Sequence, residues 1–220
     1  MPSFPRARAT LALLASFVLW MSAMPAAWTQ SDERRREQEF NFDAQGIQPG
    51  QTLPDLTVYA LDGQPRQVAE FWNDRPLVLV SSSLSCPVSR RRLGGVEQLA
   101  RRFGDQISVL VLYTIEAHPV GSHSPYAPRE WITPQNKKEG ILCAQPTTLA
   151  QRLDLARQLQ SRLQVSVPIL VDGMDNRAWN RLGGGPNMGF FVRLDGVVEI
   201  KQGGFDGPSM EQAITSFLER

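Results

Sequence analysis

The sequence predicts an α/β domain: a central mixed sheet with helices on both faces, closed by a C-terminal β-hairpin and a helix. Three observations point to it. Two short apolar runs rich in β-formers, residues 77–81 and 107–113, have the length and composition of buried central strands. Stretches with helical spacing follow them, and an Asp195-Gly196 pair between two further apolar runs marks a tight hairpin. With 220 residues, 42% hydrophobic and 20% charged, the chain buries one sizeable core.

Taken in order, residues 1–28 read as a leader. A basic start at Arg6 and Arg8 precedes an apolar run over 11–23 that is shorter than the roughly 20 residues a bilayer span needs. Pro25-Ala26-Ala27 follows as a cleavage region. The expectation is a secretory signal cleaved near Ala27, with an uncleaved N-terminal anchor as the alternative; either makes the protein exported, periplasmic or secreted. Residues 29–45 are dense in charge without apolar period and read as a linker, which leaves 46–220 as the domain.

Within the domain, 53–60 supplies a first strand and Asp62-Gly63 a turn. The buried strand 77–81 runs into Cys86, and Pro87 suits the first position of a helix reaching about Phe103, with Leu93, Val96, Leu99 and Ala100 on one face. Gly94 and Gly95 weaken that helix locally. After strand 107–113 the chain is irregular to about residue 145, interrupted by Pro119, Pro125, Pro128 and Pro134, and a loop of that length often carries function. Thr148 and Gln151 form a capping box for a helix with Leu149, Leu153, Ala156, Leu159 and Leu163 in register. A strand at 169–172, the Gly183-Gly184-Gly185-Pro186 turn, the hairpin strands 189–194 and 197–201, and a helix from Ser209 complete the series.

The formal net charge of +1, from 23 basic and 22 acidic residues, gives no global field for nucleic acid, which is excluded as a partner class. Chemistry centres on sulfur. Cys86 sits at the end of a buried strand and the mouth of a helix, where backbone N–H groups and the helix dipole favour the reactive thiolate. Cys86-Pro87-Val88-Ser89 is a CxxS sequence, so its oxidised form is resolved by an external thiol, by Cys143, or through a one-thiol cycle. A structural Cys86–Cys143 disulfide is the bland alternative. One of Arg90, Arg91 and Arg92, if turned towards the thiol, would stabilise it or hold an anionic substrate, and Arg90 is the candidate; turned outward, they form a solvated face.

His118, after the second buried strand, lies at the sheet end where ligands of open α/β folds gather, and is a candidate acid, base or binding group; His123 is a weaker one. No close ligand spacing supports a metal site. Pro186 is a candidate cis proline beside the thiol or a simple rigid turn, and Trp131 and Trp179 either line a pocket or belong to the core.

Two motifs carry a family resemblance. Ser83-Leu84-Ser85-Cys86-Pro87, and the strand ending in Tyr113-Thr114-Ile115-Glu116-Ala117-His118-Pro119, resemble the iodothyronine deiodinase-like branch of the thioredoxin-like superfamily, with cysteine where animal members carry selenocysteine. The resemblance covers about 54–217 and includes the Gly-rich approach to Pro186. It implies a thioredoxin-like fold, a Cys86 sulfur that attacks or accepts iodine, and Glu116 and His118 in substrate binding and proton delivery. The chain departs from the family pattern at Val120-Gly121-Ser122-His123 and at Met188, where an arginine often follows the proline.

The leading expectation is a thiol-dependent oxidoreductase of deiodinase-like type. Cys86 takes halogen from a halogenated aromatic, or another soft electrophile, and an external thiol reductant regenerates it with no tightly bound cofactor. Alternatives are a peroxiredoxin-like peroxidase, reading Ser83-x-x-Cys86 as a peroxidatic motif, and a non-catalytic exported copper-binding or interaction module. A homodimer is compatible with all three.

Overall fold

The computed structural model describes residues 40–220. The expected leader and most of the expected linker lie outside the described residues. Among those described, no helix is long and apolar enough to cross a membrane.

The domain is organised around strand β3 (Leu77–Ser82), whose six residues are all buried. It pairs in parallel with β4 (Ser108–Tyr113) and antiparallel with β6 (Gly189–Val192). With β1 (Thr57–Ala60), β2 (Pro65–Gln67), β5 (Ile169–Asp172) and β7 (Val198–Gln202), the sheet order is β2-β1-β5-β4-β3-β6-β7. Only the β3–β4 and β4–β5 pairings are parallel; the pairings towards both edges are antiparallel. This is the expected mixed sheet with its C-terminal hairpin.

The period of two along each strand divides the core into two layers. Val78, Val80, Val109, Val111, Ile169 and Val171 face the layer that receives α1 (Pro87–Phe103), α3 (Leu149–Leu163) and α5 (Gly207–Leu218). Leu77, Leu79, Leu110, Leu112 and Leu170 face the other, filled by α4 (Arg177–Leu182), a 3-10 turn at Val68–Phe71 and the chain from Ile47 to Leu56. The expected α1 face, Leu93, Val96 and Leu99, is buried. Gly95, a weak helix residue on propensity, lies where α1 passes the start of α5, and a Cβ there would make ordinary contact with Gly207 Cα at 3.5 Å.

The capping box at Thr148 and Gln151 forms as expected. Strand β1 starts late because Pro54 offers no N–H to a ladder, while the Leu53 amide is donated elsewhere, to Gly196 O. Two helices were not foreseen: α2 (Pro134–Glu139), inside the supposed irregular loop, and α4. Residues 41–45, expected in the linker, are part of the compact unit. Lys201 Nζ donates to Asp43 O and Gln45 O, and Gly203 N donates to Asp43 Oδ1 at 2.5 Å.

Gly46 has φ +69°, and a Cβ there would lie 2.3 Å from Gly183 N. Gly46→Ala therefore adds left-handed backbone strain to a backbone collision. A loss of about 3 kcal/mol is expected, read as a lower urea midpoint at unchanged slope.

Candidate functional site

β3 ends at Ser82, and a turn closed by Cys86 N–H donating to Ser83 O delivers the thiol to the N-cap of α1. Pro87 follows at the start of the helix, where its missing N–H is harmless and its fixed φ suits the first turn. The Ser89 N–H donates to Cys86 Sγ at 3.4 Å, so the sulfur takes one of the unpaired amides of the helix start. Ser89 belongs to the turn: its hydroxyl receives from Ser82 Oγ at 3.1 Å and donates to Cys86 O at 3.1 Å. Cys86 is buried, 2% exposed. Both cysteines are free, so the structural disulfide is not formed.

Arg90 does not present its guanidinium to a ligand. Nη1 donates to Leu84 O, and Nη2 donates to Asn136 Oδ1 at 2.9 Å and Glu139 Oε2 at 2.6 Å, with the side chain 4% exposed. Its donors tie the cysteine turn to α2, correcting the expectation that Arg90 binds substrate. Asn136 completes the tie by donating from Nδ2 to Ser85 O at 2.8 Å. α2 is built by its caps: Thr133 accepts from Asn136 N, Pro134 opens the helix, and Gly140 ends it at φ 64°. That Thr-Pro…Gly signature was present in the sequence.

The second motif is locked to the first through serines. The amide of His118 donates to Ser85 Oγ at 2.9 Å and that of Ala117 to Ser83 Oγ at 3.4 Å. Glu116 is fully buried, and three donors converge on it. Tyr113 O–H donates to Oε1, while Oε2 accepts from Ser85 N at 2.7 Å and Cys143 Sγ at 3.5 Å. Burial, followed by the charge of Glu116, holds the Tyr113 phenol far above its usual range, so it remains a donor.

His118 lies edge-on to Trp131, ring centroids 4.4 Å apart, and its Nδ1 is 3.0 Å from Trp131 O. In the neutral ring Nδ1–H donates to that carbonyl and Nε2 is left as an acceptor. Burial pushes the imidazole below its ordinary value, the Trp131 carbonyl works against this, and the Arg90 charge adds to the fall. The fold thus favours neutral His118. Its stability contribution is fully present above about pH 6.5 and is lost as pH drops through the lowered folded value. Wild type should accordingly lose stability relative to His118→Gln as urea titrations move from pH 7 towards pH 5.

A further wall comes from β5 and the Gly-rich turn. The Asp172 carboxylate accepts from the amides of Ala178 (3.1 Å) and Trp179 (2.8 Å), seating α4 at the end of β5. Trp179 Nε1 then donates to Tyr126 OH at 3.3 Å, and Tyr126 donates to Gly184 O at 2.8 Å. Burial drives the Tyr126 phenol up, the Trp179 donation opposes it, and negative charge at Cys86 would add to the rise. Pro186 belongs to the same turn, held on β3 by Ser81 Oγ donating to Gly185 O at 3.0 Å and Met188 N donating to Ser81 Oγ at 2.8 Å. No cis peptide occurs among the described residues, so of the two readings of Pro186 the structure has the rigid turn and corrects the cis one. His123 is exposed.

Cys86, Glu116, His118 and the Asp172-held α4 follow the carboxyl ends of the parallel strands β3, β4 and β5, where open α/β sheets place their ligands. Sequence reasoning quoted Ser85 and Tyr113 within its two motifs without giving them a role and missed Asn136; these three residues position the site.

Solved structures share this arrangement of strands and helices. A thiol:disulfide interchange protein from Bacteroides sp. superposes with a TM-score of 0.56 at 11% identity, over 79% of this chain and 92% of that one. The thioredoxin domain of a thiol-disulfide oxidoreductase from Bacteroides vulgatus gives 0.54 at 10% identity, over 78% and 99%. These likenesses establish the thioredoxin-like fold. Comparison with the curated proteins finds no match in sequence. The profile of the iodothyronine deiodinase family, however, matches residues 34–219, taking in both the cysteine turn and the Glu116–His118 motif that the fold brings together. On that span the chain belongs to the iodothyronine deiodinase family.

Proposed function

We propose that the protein is a thiol-dependent reductase of halogenated aromatic compounds, with Cys86 as nucleophile. Family and fold support a redox function, and the observation that carries the finer reading is the cysteine turn. One thiol occupies a helix N-cap with an amide donated to its sulfur, and the Glu116–His118 strand is stitched to the same turn through Ser83 and Ser85.

In the reaction, the Cys86 thiolate attacks the iodine of an aryl iodide. The carbon–iodine bond breaks, its electron pair stays on carbon, and a proton that His118 takes up from solvent on Nε2 and passes on completes the C–H bond, leaving a sulfenyl iodide on Cys86. An external thiol attacks that sulfur and expels iodide; a second thiol releases reduced Cys86 and a disulfide. The sum is aryl iodide plus two thiols giving arene, iodide, a proton and disulfide. Trp131, 44% exposed and packed on His118, and the Tyr126–Trp179 wall give an aromatic substrate faces to lie against.

The commitment of Arg90 to Leu84, Asn136 and Glu139 weighs against a peroxidase, which gains from a guanidinium beside its thiolate. The leader expected at 1–28 is compatible with export, where the donor would be an extracytoplasmic dithiol. Parallel assays separate the readings. Turnover with an iodothyronine and dithiothreitol should release iodide steadily; fast peroxide consumption without iodide release would replace the dehalogenase by the peroxidase.

A further inference from the structure

We propose that Cys143 is the second thiol of the cycle: it resolves oxidised Cys86 into a Cys86–Cys143 disulfide, with Glu116 accepting its proton. This rests on Cys86 being the nucleophile.

The turn around Cys86 holds no second thiol, since the CxxS position is filled by Ser89, whose hydroxyl is occupied in the turn itself. Cys143, distant in sequence, is brought to the same place. Its sulfur and the Ser85 amide, one residue before Cys86, share a single oxygen, Glu116 Oε2, at 3.5 and 2.7 Å. The backbone around Cys143 is fixed to the second motif: Val120 N donates to Cys143 O at 2.9 Å, and the Gln145 side chain exchanges hydrogen bonds with the backbone of Glu116 at 2.9 and 3.2 Å. Burial, then the Glu116 charge, pushes the Cys143 thiol up, so in the resting protein it is an S–H donor and does not compete with Cys86 for substrate.

A disulfide needs the two Cα atoms within about 7 Å. The segment carrying Cys143 lies between α2 and α3 with no helix or strand of its own beyond a single bridge from Ala144 to Val120, and its Leu142 is 55% exposed, so the approach of its sulfur to Cys86 is the movement the relay requires. Cys86, by contrast, is fixed by the α1 cap. When Cys86 carries a leaving group X, such as iodide or the thiolate of a mixed disulfide, the Cys143 sulfur attacks the Cys86 sulfur and its proton passes to Glu116. The S–X bond breaks and X leaves with the electron pair. Both thiol sulfurs end oxidised in one disulfide, which an external dithiol then reduces.

The test uses the full reduced protein and 5,5′-dithiobis(2-nitrobenzoate). Attack by Cys86 releases one thionitrobenzoate and leaves a mixed disulfide; attack by Cys143 on that adduct releases a second. The expected product is lighter than the reduced protein by two hydrogens, carries no adduct, and yields a Cys86–Cys143 crosslinked peptide. Cys143→Ser should release one equivalent and keep the adduct on Cys86, and Glu116→Gln should slow the second release relative to the first, by about 100-fold. A wild-type protein that keeps an adduct on Cys86, or on both cysteines, would overturn the relay and leave the Cys86 reading standing. A Cys86 that does not react at all would overturn both, and an unaltered second phase in Glu116→Gln would remove Glu116 from the proposal.

Discussion

Cys86→Ser is expected to lower dithiol-dependent iodide release by about 1,000-fold or more, with the folded protein intact. The size of the effect follows from chemistry. A serine hydroxyl keeps the N-cap role, accepting from the Ser89 amide as the sulfur does, so α1 should form and urea stability should change little. The alcohol, however, is neither ionised near neutral pH nor soft enough to accept iodine. Residual activity within tenfold of wild type would show that the reacting group lies elsewhere.

Arg90→Leu is expected to cost about 3 kcal/mol, because it strands the buried Leu84 carbonyl and Asn136 amide oxygen and leaves Glu139 without its ion-pair partner. Since those contacts hold the cysteine turn against α2, kcat should fall along with stability. Arg90→Lys separates this role from anion binding. A lysine keeps the charge but cannot fork to three acceptors, so a positioning residue loses stability, by about 1–2 kcal/mol, with KM little changed. Unchanged urea stability with a several-fold higher KM would instead make Arg90 a substrate contact.

These two residues also show what the sequence made legible. Cys86 could be placed because its signals are local: an apolar strand before it, a proline after it, and apolar spacing through Leu93, Val96 and Leu99. Arg90 was misread because its partners lie 46 and 49 residues away on α2, a helix whose PQNKKE sequence has no apolar residue to betray it. α4 escaped for a related reason. Its first amides are capped by Asp172, a carboxylate from β5, and a cap supplied from another element leaves no pattern within the helix. Glu116 and His118 were found through motif resemblance, but their attachment to Ser85 needed the parallel pairing of β3 with β4, which brings the ends of the two strands side by side. Cys143 could be listed among the sulfur candidates from composition alone; its meeting with Glu116 depends on the path of the chain between α2 and α3.

The account's central claim is that Cys86 itself takes the halogen. The most direct test is a single turnover: reduced protein mixed with a stoichiometric iodinated phenol in the absence of any external thiol, with the dehalogenated phenol quantified against protein. One equivalent of dehalogenated phenol per protein, lost in Cys86→Ser and retained in Cys143→Ser, is the predicted result. No dehalogenated phenol from a protein whose Cys86 is reduced and reacts with other electrophiles would contradict it.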